Sequence, residues 1–265
     1  YNLVKDGAAE LTLSGVNTFG GTTAVDGGML TLAGGSALVN SMAVTVNAGG
    51  SLKLASSEEI ATLAGKRQVL LQGNTLTLGG TAATTYSGVM SGSGLLVKNG
   101  SSVFTVTGSN TFSGGVNLSA GAVQVGNNAA FGTGLVTFSA GRISSDSATA
   151  RTIGNAFDLS GALTLGDGVN NGTLTLSGNA ALSGNTTLTV ASAATISGIV
   201  SGAFTLAKDG AAELTLSGVN TFSGPTSVDG GMLTLAGGSA LANSMAVTVN
   251  AGGSLRLASS EEIAT

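Results

Sequence analysis

This chain repeats itself, and that limits its folds more than any other feature. Residues 5–62 return at 208–265, an offset of 203 positions. Only five of the 58 pairs differ: Gly20/Ser223, Thr22/Pro225, Ala24/Ser227, Val39/Ala242 and Lys53/Arg256. A looser copy opens at Lys98-Asn99-Gly100, 93 positions after the first. There Leu11-Thr12-Leu13 becomes Phe104-Thr105-Val106, Asn17-Thr18-Phe19 becomes Asn110-Thr111-Phe112, and Leu30-Thr31-Leu32 becomes Val123-Gln124-Val125. Nested repeats mark a solenoid, in which each unit buries its apolar face against its neighbours. The expected organisation is one continuous segment over 1–265, with copies starting near 5, 98 and 208, as a window of a longer repetitive chain.

The local pattern shows what the units are made of. Short apolar-polar alternations recur between glycines and asparagines: Leu11-Thr12-Leu13, Val44-Thr45-Val46, Leu52-Lys53-Leu54, Leu76-Thr77-Leu78, Leu174-Thr175-Leu176 and Leu188-Thr189-Val190. A period of two places the aliphatic residues on one face and Thr, Lys or Gln on the other. Helical spacing is nearly absent. Ser56-Ser57-Glu58-Glu59 imitates a helix capping box, but Ile60 to Leu63 alternate again, so this stretch reads as a corner. The turns carry no consistent hairpin signal, and similar inward residues recur turn after turn. The predicted fold is therefore all-β, a right-handed parallel β-helix (solenoid). With roughly 20 residues per turn and about 4.8 Å between strands, it would hold about 13 turns along about 60 Å.

The Asn-Thr-Phe motif supplies the candidate corners. Asn17, Asn110 and Asn220 each follow a glycine by two positions, and asparagine accepts the left-handed backbone that a corner requires. Stacked asparagines could also bond to corresponding corners above and below, with Phe19, Phe112 and Phe222 packed beneath. These six residues form a structural set rather than a ligand site.

At these residues the sequence resembles the passenger-associated strand repeat of bacterial autotransporters. That pattern combines a Ser-Gly-x-Ile-Ser-Gly approach, a Lys-x-Gly-x-Gly-x-Leu-x-Leu-x-Gly-x-Asn-x-aromatic run and a Gly-Gly-x-Leu-x-Leu strand. Here it corresponds to Ser87 to Gly92, Lys98 to Phe112 and Gly121 to Val125, with flanking copies at Lys5 to Leu32 and Lys208 to Leu235. The resemblance implies a β-helical passenger that is exported and displayed outside an outer membrane, as a structural or adhesive surface protein.

Composition narrows the remaining options. Charged residues are 8% of the chain, the net charge is −4 and the basic residues are scattered, so no stripe tracks a nucleic-acid backbone. The chain has no Cys and no His, so it offers no thiolate, disulfide or imidazole chemistry. Lack of disulfides also suits a chain that crosses a narrow pore unfolded. Glycoside hydrolysis needs two facing carboxyl groups, but the adjacent pairs Glu58-Glu59 and Glu261-Glu262 would point opposite ways along a strand. The expectation is therefore no enzyme, as against a polysaccharide-degrading β-helix. Leu165 to Asn171 holds a single Asp, too few charges for a calcium cage, and the Gly-rich strings lack a phosphate-loop ending. No metal and no cofactor are expected. Thr pairs such as Thr173/Thr175 raise ice binding, which their uneven spacing argues against. Expected partners are the chain itself, through adjacent repeats or end-to-end and lateral contacts, and surface glycans or other cells. A receptor-binding adhesin face is the alternative to a stiff stalk or fibre. No stretch is apolar and long enough for a membrane helix. Neither end reads as a cap, since Thr265 matches Thr62, so the chain either extends at both ends or stacks into filaments.

Overall fold

Inward aliphatic residues in short β-branched strands, interrupted by glycine, cannot satisfy their backbone groups within one strand; they must pair with neighbouring turns. The computed structural model describes residues 1–38, 43–241 and 243–260. Val39, Ala242, Glu261, Glu262 and Thr265, all named above, lie outside the described residues. No helix occurs among the described residues. The chain forms two compact units, Tyr1–Leu135 and Val136–Thr265. In each, strands pair in parallel with strands one turn away, which makes each a stack of β-solenoid turns; together they hold about 12 turns.

In the first unit the register is regular. Leu76, Leu96 and Val116 align in steps of 20 residues, as do Leu78, Lys98 and Leu118. All six side chains point inward and are at most 2% exposed. Each buried aliphatic side chain contributes about 1.5–3 kcal/mol, and its stacked neighbours fix which face is inward.

The second unit contains a six-stranded parallel sheet: Arg151–Ile153, Leu174–Leu176, Ala194–Ile196, Glu213–Leu216, Gly231–Leu235 and Gly253–Leu257. One column on the face opposite the leucines runs through Thr152, Thr175, Thr195, Thr215 and Thr234 and ends at Arg256, with Thr234 covered and its hydroxyl donating to Glu213. Sequence spacing between them is uneven, but the column is in register because the corners absorb the difference. Across the fold the step per turn ranges from 17 residues, at Leu52 over Val69, to 25, at Leu163 over Leu188.

One local expectation is overturned. Glu58 and Glu59 do not lie in a corner; they belong to the strand Glu58–Ile60, which pairs with Leu76–Leu78. Glu59 is exposed, whereas Glu58 is buried and its Oε1 accepts the Leu38 N–H at 2.7 Å. The alternation carries straight through the two carboxylates, and a backbone donor on the preceding turn meets the inward one.

Candidate functional site: the corner clamps of the repeats

Each repeat copy carries an asparagine and a lysine at its corner; the asparagines of all three copies and the lysines of the outer two bond across turns. Asn110 is 2% exposed. Its Oδ1 accepts the Met90 N–H at 2.7 Å, 20 residues earlier, and its Nδ2 donates to the Ala130 carbonyl at 2.7 Å, 20 residues later. One side chain thus ties three successive turns. Asn220 does the same, accepting from the Val200 N–H at 2.8 Å and donating to the Ala240 carbonyl at 2.9 Å. Asn17 donates to the Ala37 carbonyl at 2.9 Å and to the Gly15 carbonyl at 3.1 Å. Phe112 and Phe222 are fully buried, and Phe19 is half-buried.

One detail of the corner differs from the sequence reading. None of the three asparagines has a left-handed backbone; among non-glycine described residues only Gln72 does, at φ 55°. The left-handed positions fall to glycines, which carry no Cβ penalty. Asn110 and Asn220 bond to main-chain groups of the turns directly above and below, as expected of the corners, and Asn17 bonds to the next turn at Ala37 and to its own corner at Gly15.

The lysines were not legible as a site. Lys5, Lys98 and Lys208 occupy the inward position at the end of the strands Leu3–Lys5 and Leu96–Lys98 and within Leu206–Asp209. Lys98 and Lys208 are 0% exposed and Lys5 is 6% exposed. Lys5 Nζ donates to the carbonyls of Asp6 at 3.0 Å, Gly7 at 2.7 Å and Gly27 at 2.7 Å. Lys208 Nζ repeats the set with Asp209 at 3.0 Å, Gly210 at 2.7 Å and Gly230 at 2.8 Å. Lys98 Nζ donates to the Gly100 carbonyl. An ammonium has three donors and no acceptor, so in the two outer copies every proton is met by a main-chain oxygen. Burial holds Lys98 below the ordinary lysine range; Lys208 is lowered for the same reason, with the Asp209 carboxylate opposing the shift.

Each clamp also requires a glycine on the next turn. At Gly121, φ +72°, an added Cβ would lie 2.4 Å from the Gly100 carbonyl oxygen and 2.7 Å from Lys98 Nζ. Gly28 and Gly231 stand at the same place over Gly7 and Gly210, with φ +62° and +60°. The motif is thus Lys-x-Gly followed by a glycine 21 residues later, one turn up. A signal for it was present: the lysine stands two positions after an inward leucine in Leu3-Val4-Lys5, Leu96-Val97-Lys98 and Leu206-Ala207-Lys208.

Tyr86 is a third buried polar group. Its hydroxyl donates to the Arg67 carbonyl at 2.5 Å, and burial pushes its phenol above the ordinary tyrosine range.

Fold and clamps together define a class: a parallel β-solenoid whose repeats each carry an inward lysine and a corner asparagine that donates to the next turn. The sequence profile of the family described as passenger-associated-transport-repeat matches residues 3–39, 96–125 and 206–235. Each match contains one of the three lysines and one of the three asparagines. Three segments of the chain thus match this repeat, the type of autotransporter passenger repeat that the sequence resembled. No curated protein and no solved structure gives a significant match.

Proposed function

We propose that this chain is a structural segment of an autotransporter passenger, displayed outside the outer membrane, whose work is to extend and present rather than to catalyse. The observation that carries this reading is the fastening of turn to turn at the family's own repeats. Asn110 and Asn220 each bond to the turn before and the turn after, and the side chains most distinctive of the repeat are buried in that work. Groups used in this way have no freedom to meet a substrate. Tyr86, an aromatic that could stack on a sugar, is fully buried with its hydroxyl bonded to main chain. The one carboxylate pair within the described strands, Glu58 and Glu59, is split between the interior and the surface.

The partners in this reading are adjacent repeats of the chain itself. The test is display of the segment on bacterial cells as part of a passenger. Protease shaving of intact cells should release it, and electron microscopy should show projections that lengthen when the segment is duplicated. A segment that stays inside the cell, or projections of unchanged length, would overturn the reading. Saturable binding to a glycan array or to other cells by the purified chain would assign it instead to a receptor-binding adhesin face.

A further inference from the structure

The lysine clamps have the chemistry of an ion site. In the two outer copies three neutral carbonyl oxygens, two from one corner and one from the next turn, converge on a single positive centre. They lie 2.7–3.0 Å from Nζ in both copies. Among the described residues no carboxylate oxygen accepts a hydrogen bond from either ammonium, although the Asp209 carboxylate acts on Lys208 through space; the ammonium protons are met by peptide dipoles, as carbonyl oxygens replace the hydration shell of an ion in a channel filter. The oxygens stand farther from the centre than the shells of Ca²⁺, at about 2.3–2.6 Å, or Mg²⁺, at about 2.0–2.1 Å. A larger, singly charged ion fits them.

We propose that each nest is a binding site for a monovalent cation of the ammonium or potassium class, permanently filled by the chain's own lysine. The repeat thereby carries its cation covalently, and its folding needs none from the medium. Cutting Lys208 back to alanine removes three methylenes and the ammonium and leaves the carbonyls of Asp209, Gly210 and Gly230 facing the vacated space. That space has the shape of n-propylammonium, and its mouth of oxygens suits K⁺.

The test compares the full chain with Lys208→Ala and Lys208→Met, each in choline chloride, potassium chloride and n-propylammonium chloride at one ionic strength. The readout is hydrogen exchange at the Ala212 and Asp229 amides, which bond to Val190 and to Lys208 across neighbouring turns. Exchange at these amides should be unchanged across the salts for the parent chain. Lys208→Ala should lose protection in choline and regain it about tenfold when n-propylammonium or K⁺ exceeds its dissociation constant about tenfold. Lys208→Met, whose side chain refills the stem without a charge, should respond equally to all three salts. If Lys208→Ala does not fold in choline, circular dichroism takes the place of exchange, and β-structure should return on adding n-propylammonium. Equal behaviour of Lys208→Ala in the three salts would overturn the proposal, as would a parent chain that requires K⁺ to fold.

Discussion

At the scale of the residue, an amide side chain does what no aliphatic can: it accepts from one turn and donates to another. Asn110→Ala removes both bonds and leaves the Met90 N–H and the Ala130 carbonyl unpaired in a dry interior. At about 1–3 kcal/mol for each orphaned group, we expect a loss of about 2–6 kcal/mol, read as hydrogen-exchange protection at Met90. Two glycines separate conformational cost from crowding. Gly7, φ +77°, has open space where a Cβ would stand, so Gly7→Ala should cost only the left-handed penalty of about 1–2 kcal/mol. Gly28→Ala adds a Cβ 2.5 Å from the Gly7 carbonyl oxygen and should cost clearly more in the same urea titration. The buried titrating groups predict a stability maximum in alkaline solution. Lys98 has a lowered folded-state pKa, so unfolding takes up protons, and stability rises with pH until the unfolded value near about 10.5 is passed. Tyr86 has a raised one, so its contribution is intact below the unfolded value near about 10 and declines as pH climbs beyond it. Lys98→Met should flatten the rise and Tyr86→Phe the decline, both measured as denaturant midpoints between pH 8 and 11.

At the scale of the element, the strands set the faces and the corners set the lengths. Val169 in the corner after Leu165 is 87% exposed, and an added Cβ at Gly168 meets nothing within 4 Å. One glycine inserted after Val169 should therefore leave the circular dichroism spectrum and urea midpoint nearly unchanged. The same insertion after Thr175 would turn Leu176 outward and the following residues over with it, because side chains alternate with period two. It should destroy protection at Leu174 and at Ala194, which pairs with Leu174. The same contrast explains what could be read from sequence. Alternation is local, so Leu76-Thr77-Leu78 announced a strand and its inward face. Bonds across turns join residues 20 or so apart, and nothing beside Lys98 or Glu58 in the sequence names the carbonyl or amide that meets it. The likeness of Ser56 to Glu59 to a capping box placed Glu58 in a corner, and reading Lys as an outward residue passed over the three lysines. Asn110 was legible as a corner residue, but its partners, Met90 and Ala130, were visible only once the register was known.

At the scale of the whole molecule, strand partners 17 to 25 residues apart within each unit are close in sequence relative to the length of the chain. Closing a loop of that length costs little entropy compared with joining distant segments, and low contact order goes with fast folding. Stability in such an array is a sum over turns and their nearest interfaces rather than one global quantity, so a single free energy of unfolding does not describe it. The consequence is that damage should stay local. In Asn110→Ala, exchange should accelerate at turns within about 40 residues, from Leu76 through Val136, since only the adjoining turns share interfaces with the altered one. Protection in the six-stranded sheet, at Thr195 and Thr215, should not change. The two near-identical copies sharpen the test: Asn17→Ala and Asn220→Ala remove matching side chains from matching sequences, and each should open its own neighbourhood while leaving the other copy protected. Loss of protection throughout the chain from any one of these substitutions would mean that the turns fold as a single cooperative body. Folding turn by turn, as a chain that crosses a narrow pore unfolded could do, would then have no basis in how this chain folds.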